Sequence, residues 1–178
     1  MDRRTFGTTM LMGSLGLAAA PAMGQGRRMG QMMNMMQMGP PERRHITDTL
    51  QVGAVALETS RLAQSRAQNP MVRQFANFEV EEQTGIATIL RELMPMAPPP
   101  PPPSDADRRT TERLAASRGR EFDRMYLTGQ LDGHRRLLQI QETYLSQGRA
   151  PHHRHIAMLA RGRIREHIRD VENLQRMA

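Results

Sequence analysis

Apolar residues in this chain recur at spacings of three and four over four long stretches, the signature of amphipathic helices. Over residues 70–93, Val72, Phe75, Ala76, Glu79, Gln83, Ile86, Leu90 and Leu93 fall on one stripe. Asn69-Pro70 marks its start, because Asn can cap a helix and Pro suits its first position. A preceding helix is predicted from about Thr47 to Gln68. Ile46, Leu50, Gly53, Ala54 and Leu57 edge its stripe on one side, and Val55, Glu58 and Leu62 on the other. So short a break predicts antiparallel neighbours. A third helix is predicted over about Arg118 to Ser146, capped by Ser117 and ended by Gly148. Leu127, Leu131, His134, Leu138 and Leu145 form its inner stripe. Pro151 opens a fourth, over about His152 to Gln175, on Ile156, Ala160, Ile164, His167, Val171 and Leu174. Ser104, Asp105 and Asp107 suit the start of a short helix ahead of the third. No stretch alternates as a strand would. The pattern predicts an all-α antiparallel four-helix bundle, two helical hairpins joined by a Pro-rich linker at 95–103. The unbroken run from Pro98 to Pro103 forbids a helix and spans about 19 Å as polyproline II.

Polar residues interrupt these stripes: Glu58 on the first helix, Glu79 with Glu82 on the second, His134 on the third and His167 on the fourth. Tyr126 and Gln130 share a face with His134 at four-residue spacing, as a hydrogen-bond ladder would need. A buried acid requires a partner. Carboxylates and imidazoles projecting into a bundle core are the usual ligands of two-metal four-helix proteins. The customary Glu-x-x-His pair is missing at these positions: Glu79 is followed by Glu82, Leu131 precedes His134 and Ile164 precedes His167. A buried polar network that fixes helix register uses the same residue types. The pattern alone leaves both readings open, and no cofactor is required by it. His152, His153 and His155 read as a solvated helix start or an exposed Cu(II) or Ni(II) site. His45, beside Arg43-Arg44, has no visible partner.

The ends of the chain change the picture. Arg3-Arg4, an apolar stretch over 8–20 and the small residues Ala20-Pro21-Ala22 read as a signal peptide over 1–22. Arg3-Arg4-Thr5-Phe6 is similar to a twin-arginine signal, with Asp2 where Ser or Thr is more usual. Export to a bacterial periplasm is the expectation. Residues 23–44 are expected to be a flexible Met-rich segment, ahead of a bundle over 45–176. Seven of the 16 methionines lie in 23–40, including Met29, Met32, Met33, Met35, Met36 and Met38. Clustered thioethers suit Cu(I), and a plain Gly/Gln/Met tail has the same composition.

Composition excludes much else. Without cysteine there is no disulfide framework, thiolate nucleophile or zinc-thiolate site. An aromatic share of 3% argues against a stacking platform for single-stranded nucleic acid. All 25 basic residues are Arg and the net charge is +7, or +6 without residues 1–22. Because the cations are scattered among acids, no nucleic-acid partner is expected. The mature chain has no transmembrane stretch, and association with the envelope and oligomeric state are left open. No phosphate loop, nucleophile elbow or Ser/His/Asp arrangement is present, so an enzyme is not the favoured reading.

The segments LETSRLAQSRAQNPMVRQFANFEVEEQ (57–83), EFDRMYLTGQLDGHRRLLQIQETYLSQG (121–148) and REHIRDVENL (165–174) resemble the domain of unknown function 4142 family. Glu58, Phe75-Ala76, Phe122-Asp123, Tyr126, His134 and His167 carry the resemblance, which covers about residues 45–175. It implies an exported bacterial protein with a ferritin-like four-helix fold and no established activity. Many members have Asp-His where Glu82-Gln83 stands here. The resulting expectation is a non-enzymatic binding or stress-related envelope protein with a polar core of Glu58, Glu79, Glu82, Tyr126, His134 and His167. A transition-metal site in that core, or a Cu(I)-handling tail, is the alternative.

Overall fold

A computed structural model describes residues 38–94 and 99–177, and all regular structure among them is helical. Five helices follow in order: α1 Pro40–Arg66, α2 Pro70–Leu93, α3 Asp105–Ala116, α4 Gly119–Gln147 and α5 Pro151–Met177. The α1–α2 boundary is where Asn69 and Pro70 place it. The Asn69 side chain accepts the Met71 N–H at 2.9 Å, and Pro70 takes the first helical position. Ser104 likewise caps α3 by accepting from the Asp107 N–H.

Two boundaries differ from the sequence expectation. First, α1 begins at Pro40 rather than near Thr47, because Pro40-Pro41 serve as its first helical residues, where no N–H is needed. The segment expected to be flexible over 23–44 therefore ends inside a helix. Met38 is buried against Ile46, Leu50, Leu90 and Met94, so this sulfur is core and not tail. The remaining tail methionines, Met29, Met32, Met33, Met35 and Met36, lie outside the described residues, as do the signal segment and residues 95–98. Second, Ser117 terminates α3 instead of capping the next helix; Arg118 is the N-cap of α4. Gly119 follows with φ of 62°, the left-handed conformation that only Gly adopts freely.

Side-chain pairs fix the helix directions. Glu42 meets Tyr144, Thr49 meets Gln141 and Ser60 meets Tyr126, so α1 and α4 are antiparallel. Gln64 meets Asn77 across the short turn between α1 and α2, and Glu142 and Glu172 pair with Arg165 and Arg135 between α4 and α5. Consequently α2 and α4 run in the same direction, and the chain must travel back between them. Residues 99–103 and α3 lie on that return path against α1 and α4, tied by Gln51 of α1 to the Pro102 carbonyl and by Arg136 of α4 to Asp107. Leu114 of α3 joins the largest apolar cluster, with Ala63, Phe75, Phe122, Tyr126, Leu127 and Val171.

The buried face of α1 meets expectation at Ile46, Leu50 and Gly53 and departs from it further along the helix. It runs through Gly53, Ala56, Ser60 and Ala63, small residues that let α2 and α4 approach. Leu57 and Leu62 are only half buried, and Glu58 is exposed to solvent. Among the described residues, no helix is long and apolar enough to cross a membrane.

Candidate metal centre

Glu79 on α2, His134 on α4 and His167 on α5 converge in the core, each 2% exposed or less. His134 Nε2 lies 3.1 Å from Glu79 Oε1 and 3.1 Å from His167 Nδ1, and His167 Nδ1 lies 2.7 Å from the same carboxylate oxygen. Phe75 covers the imidazoles, its ring 5.3 Å from that of His167. Gln83 donates to the second oxygen of Glu79 at 3.4 Å.

Tautomers decide what this triangle means. His134 Nδ1 is 2.7 Å from the Gln130 carbonyl oxygen, which can only accept, so Nδ1 carries a proton. In the neutral ring Nε2 is then a bare lone pair directed at Glu79 Oε1, itself an acceptor. On the far side of His167, Nε2 faces Glu82 Oε2 at 3.6 Å, and Glu82 is held by Arg163 at 2.9 Å. A carbonyl hydrogen-bonded behind His134 is the arrangement that turns its other nitrogen into a ligand; behind His167 the Glu82 carboxylate stands at 3.6 Å, outside hydrogen-bond reach. His167 Nδ1, 2.7 Å from Glu79 Oε1, can carry the proton that the carboxylate accepts, so this buried triangle needs a proton or a metal ion among its three atoms.

A proton serves in part. Burial acts to raise the Glu79 carboxyl, but hydrogen bonds and positive charge from His134 and His167 hold it at about 2. Burial likewise works against charging His134, yet Glu79, the Gln130 carbonyl and Glu82 raise its proton affinity above the usual imidazole range. The same three atoms could also hold a metal ion, which would accept all three lone pairs at once. Bonds of about 2.0–2.1 Å place cis ligand atoms about 3.0–3.4 Å apart, within a few tenths of an ångström of the distances here. Among the described residues, this is the one group of three such side chains with all ligand atoms within 4.8 Å of one another.

Of the residues expected in the core, Glu79, His134 and His167 meet at the centre. Glu82 stands behind it, one-fifth exposed. Glu58 does not take part, because its position faces solvent once the small-residue face of α1 packs inward. Tyr126 is buried on the same face of α4, but its hydroxyl pairs with Ser60 Oγ at 2.9 Å. Gln130 turns to α1 as well, donating to Thr59 and Ser60. The expected ladder along α4 is thus a set of rungs to α1. Burial raises the Tyr126 hydroxyl well above the usual phenol range.

Several polar residues have structural roles that the sequence reading did not give them. Asp123 accepts the backbone N–H groups of Gln68 and Asn69 at 3.0 and 2.8 Å, clamping the α1–α2 turn to α4. His45, expected to lack a partner, is buried and hydrogen-bonded to Gln141. His153 is buried too, while His152 and His155 are exposed, so the three do not form one surface site. The usable signal was Glu42-x-x-His45, an i, i+3 pair directly behind the helix-starting Pro40-Pro41.

The fold and the centre define an all-helical protein with a carboxylate–imidazole core. The chain belongs to the family described as Domain of unknown function (DUF4142), whose model matches residues 28–174. It is similar to the crystal structure of a DUF305 fragment from Deinococcus radiodurans, with TM-score 0.71 and 19% identity over 79% of this chain and 98% of that one. At that identity the likeness speaks for the fold alone. No curated protein matches the sequence.

Proposed function

We propose that this is an exported, ferritin-like bundle of two helical hairpins that binds one first-row divalent metal ion through Glu79, His134 and His167. The observation that carries the reading is the buried convergence of Glu79 Oε1, His134 Nε2 and His167 Nδ1, with the opposite nitrogen of His134 held by the Gln130 carbonyl. Two imidazole nitrogens and one carboxylate oxygen suit Zn²⁺, Fe²⁺ or their neighbours rather than Ca²⁺ or Mg²⁺. Bound there, the ion would supply positive charge to the core and tie α2, α4 and α5 together. The near-complete burial favours storage or structural binding over turnover of a substrate, in line with a binding or envelope stress role.

Metal analysis of protein purified from its native compartment tests this, with about one ion per chain expected. His134→Ala should lose it, and a chain lacking residues 23–37 should keep it. Less than about a tenth of an equivalent in the native protein would leave the triad as a proton-sharing network that fixes helix register. Loss of metal with the tail removed, and retention in His134→Ala, would instead assign binding to the Met-rich segment.

A further inference from the structure

A second polar cluster lies in the half of the bundle where α1 begins. Gln141, which anchors it on α4, stands seven residues beyond His134, about 10 Å along the helix axis. Glu42, third residue of α1, accepts the backbone N–H groups of Arg149 and Ala150 at 3.1 and 3.4 Å and the Tyr144 hydroxyl at 3.2 Å. One carboxylate thereby joins the first turn of α1 to the chain entering α5. Negative charge is favourable there, at the positive ends of both helices.

One turn further along α1, His45 Nε2 donates to Gln141 Oε1 at 2.7 Å. The Gln141 amide nitrogen donates to Thr49 Oγ1. His45 Nδ1 is buried without a partner, and His153 Nδ1 is buried and unpartnered as well. The His45 ring stacks on Tyr144 at 4.3 Å and meets the His153 ring edge-on at 6.3 Å. The two histidines are 2% and 3% exposed. With Nε2 donating to Gln141, a proton added to His45 Nδ1 would have no protein acceptor and no access to solvent.

The charges around the pair do not offset that cost. From α1, Glu42 and Asp48 favour a proton on His45. From α4 come only the neutral Gln141 amide and the Tyr144 phenol, beside which Arg154 adds positive charge. From α5, His153 faces His45, and His152 stands near His153. Burial outweighs the carboxylates and holds both imidazoles below their usual range. The closed corner thus accepts them only as neutral rings, whereas an opened corner lets water solvate their charged forms.

We propose that the His45–Tyr144–His153 stack is an acid-released latch on the corner formed by the start of α1 and the α4–α5 turn. Below the imidazole range the corner opens and frees the Arg149 and Ala150 amides, while the half of the bundle around Glu79 stays packed. Linkage makes the open population grow by up to about tenfold per pH unit for each imidazole that charges on opening.

Hydrogen exchange of the full chain between about pH 7.5 and 5, corrected for the intrinsic pH dependence of amide exchange, tests this. Protection of the Arg149 and Ala150 amides should fall at least about tenfold, with amides around Leu127 unchanged. The double variant His45→Gln, His153→Gln should lose that pH dependence. Unchanged protection in the wild-type protein, or the same pH dependence in the double variant, overturns the proposal. If the double variant does not fold, ring-nitrogen NMR of the wild-type protein decides. Proton uptake by His45 and His153 coincident with loss of amide protection supports the latch, and uptake with the corner still protected overturns it.

Discussion

Glu79→Gln tests the energetics of the core most directly. The substitution keeps shape and an acceptor oxygen but removes the charge that His134 and His167 share. A carboxyl held at about 2 instead of 4.5 corresponds to about 3 kcal/mol in favour of the ionised folded form, at about 1.4 kcal/mol per tenfold change in proton affinity. The sign differs between the partners. Glu79 has a lowered pKa, so its contribution is present above about 4.5 and is lost as pH falls towards about 2. His134 has a raised pKa, so its contribution is complete below the usual imidazole value of 6.5 and is lost as pH rises through the folded value. Both describe one coupled pair and are not summed. The stability difference between wild type and variant should therefore peak near pH 5–6 at about 3 kcal/mol and shrink on either side. Urea denaturation followed by far-UV circular dichroism, on chelator-treated protein at five or six pH values, measures it. A difference under about 1 kcal/mol at pH 5.5, or one flat from pH 3 to 8, would refute the charge-sharing account. In metal-loaded protein the acid limb should steepen, because protons then compete with the ion for its ligands.

Further outcomes follow from other contacts. Asp123→Asn should lower stability by about 1.5–3 kcal/mol in thermal or urea unfolding, since one carboxylate satisfies two backbone donors of the α1–α2 turn; a loss below about 0.5 kcal/mol would mean that the turn holds itself. Gly148→Ala should cost about 1–3 kcal/mol, because a Cβ there would come within 1.9 Å of the Tyr144 ring and push it off His45. A weakened near-ultraviolet tyrosine signal should accompany that loss. Glu58→Ala, on the exposed face of α1, should stay within about 0.5 kcal/mol of wild type and keep any bound metal; metal loss would return Glu58 to the core.

How far the sequence disclosed the molecule depended on the kind of signal each residue carries. Asn69-Pro70, Ser104 and Pro151 act within one turn of backbone, and each boundary they announced is present. Glu79, His134 and His167 were legible because each interrupts a stripe of larger apolar side chains. Periodicity placed Ile46, Leu50 and Gly53 of α1 correctly but misread the second half of the helix, where Ala56, Ser60 and Ala63 point inward. Small residues give a weak apolar signal, so the leucines beside them misplaced the stripe and drew Glu58 inward. Glu42 and His45 were missed because the helix was expected to begin after them. Asp123 and Gln141 act across sequence separations that no local pattern encodes.

The parallel course of α2 and α4 also bears on how the chain assembles. Pairing α1 with α2, or α4 with α5, closes a turn of a few residues. Docking one pair on the other must confine the whole path through the prolines and α3, and its reward comes from contacts such as Glu42–Tyr144, 102 residues apart. Loop-closure entropy grows only logarithmically, at about 0.6 kcal/mol per doubling of length. Lengthening the Pro segment should therefore leave equilibrium stability nearly unchanged. The docking rate of the two helix pairs should fall by the same small amount, at most about threefold per doubling of the segment.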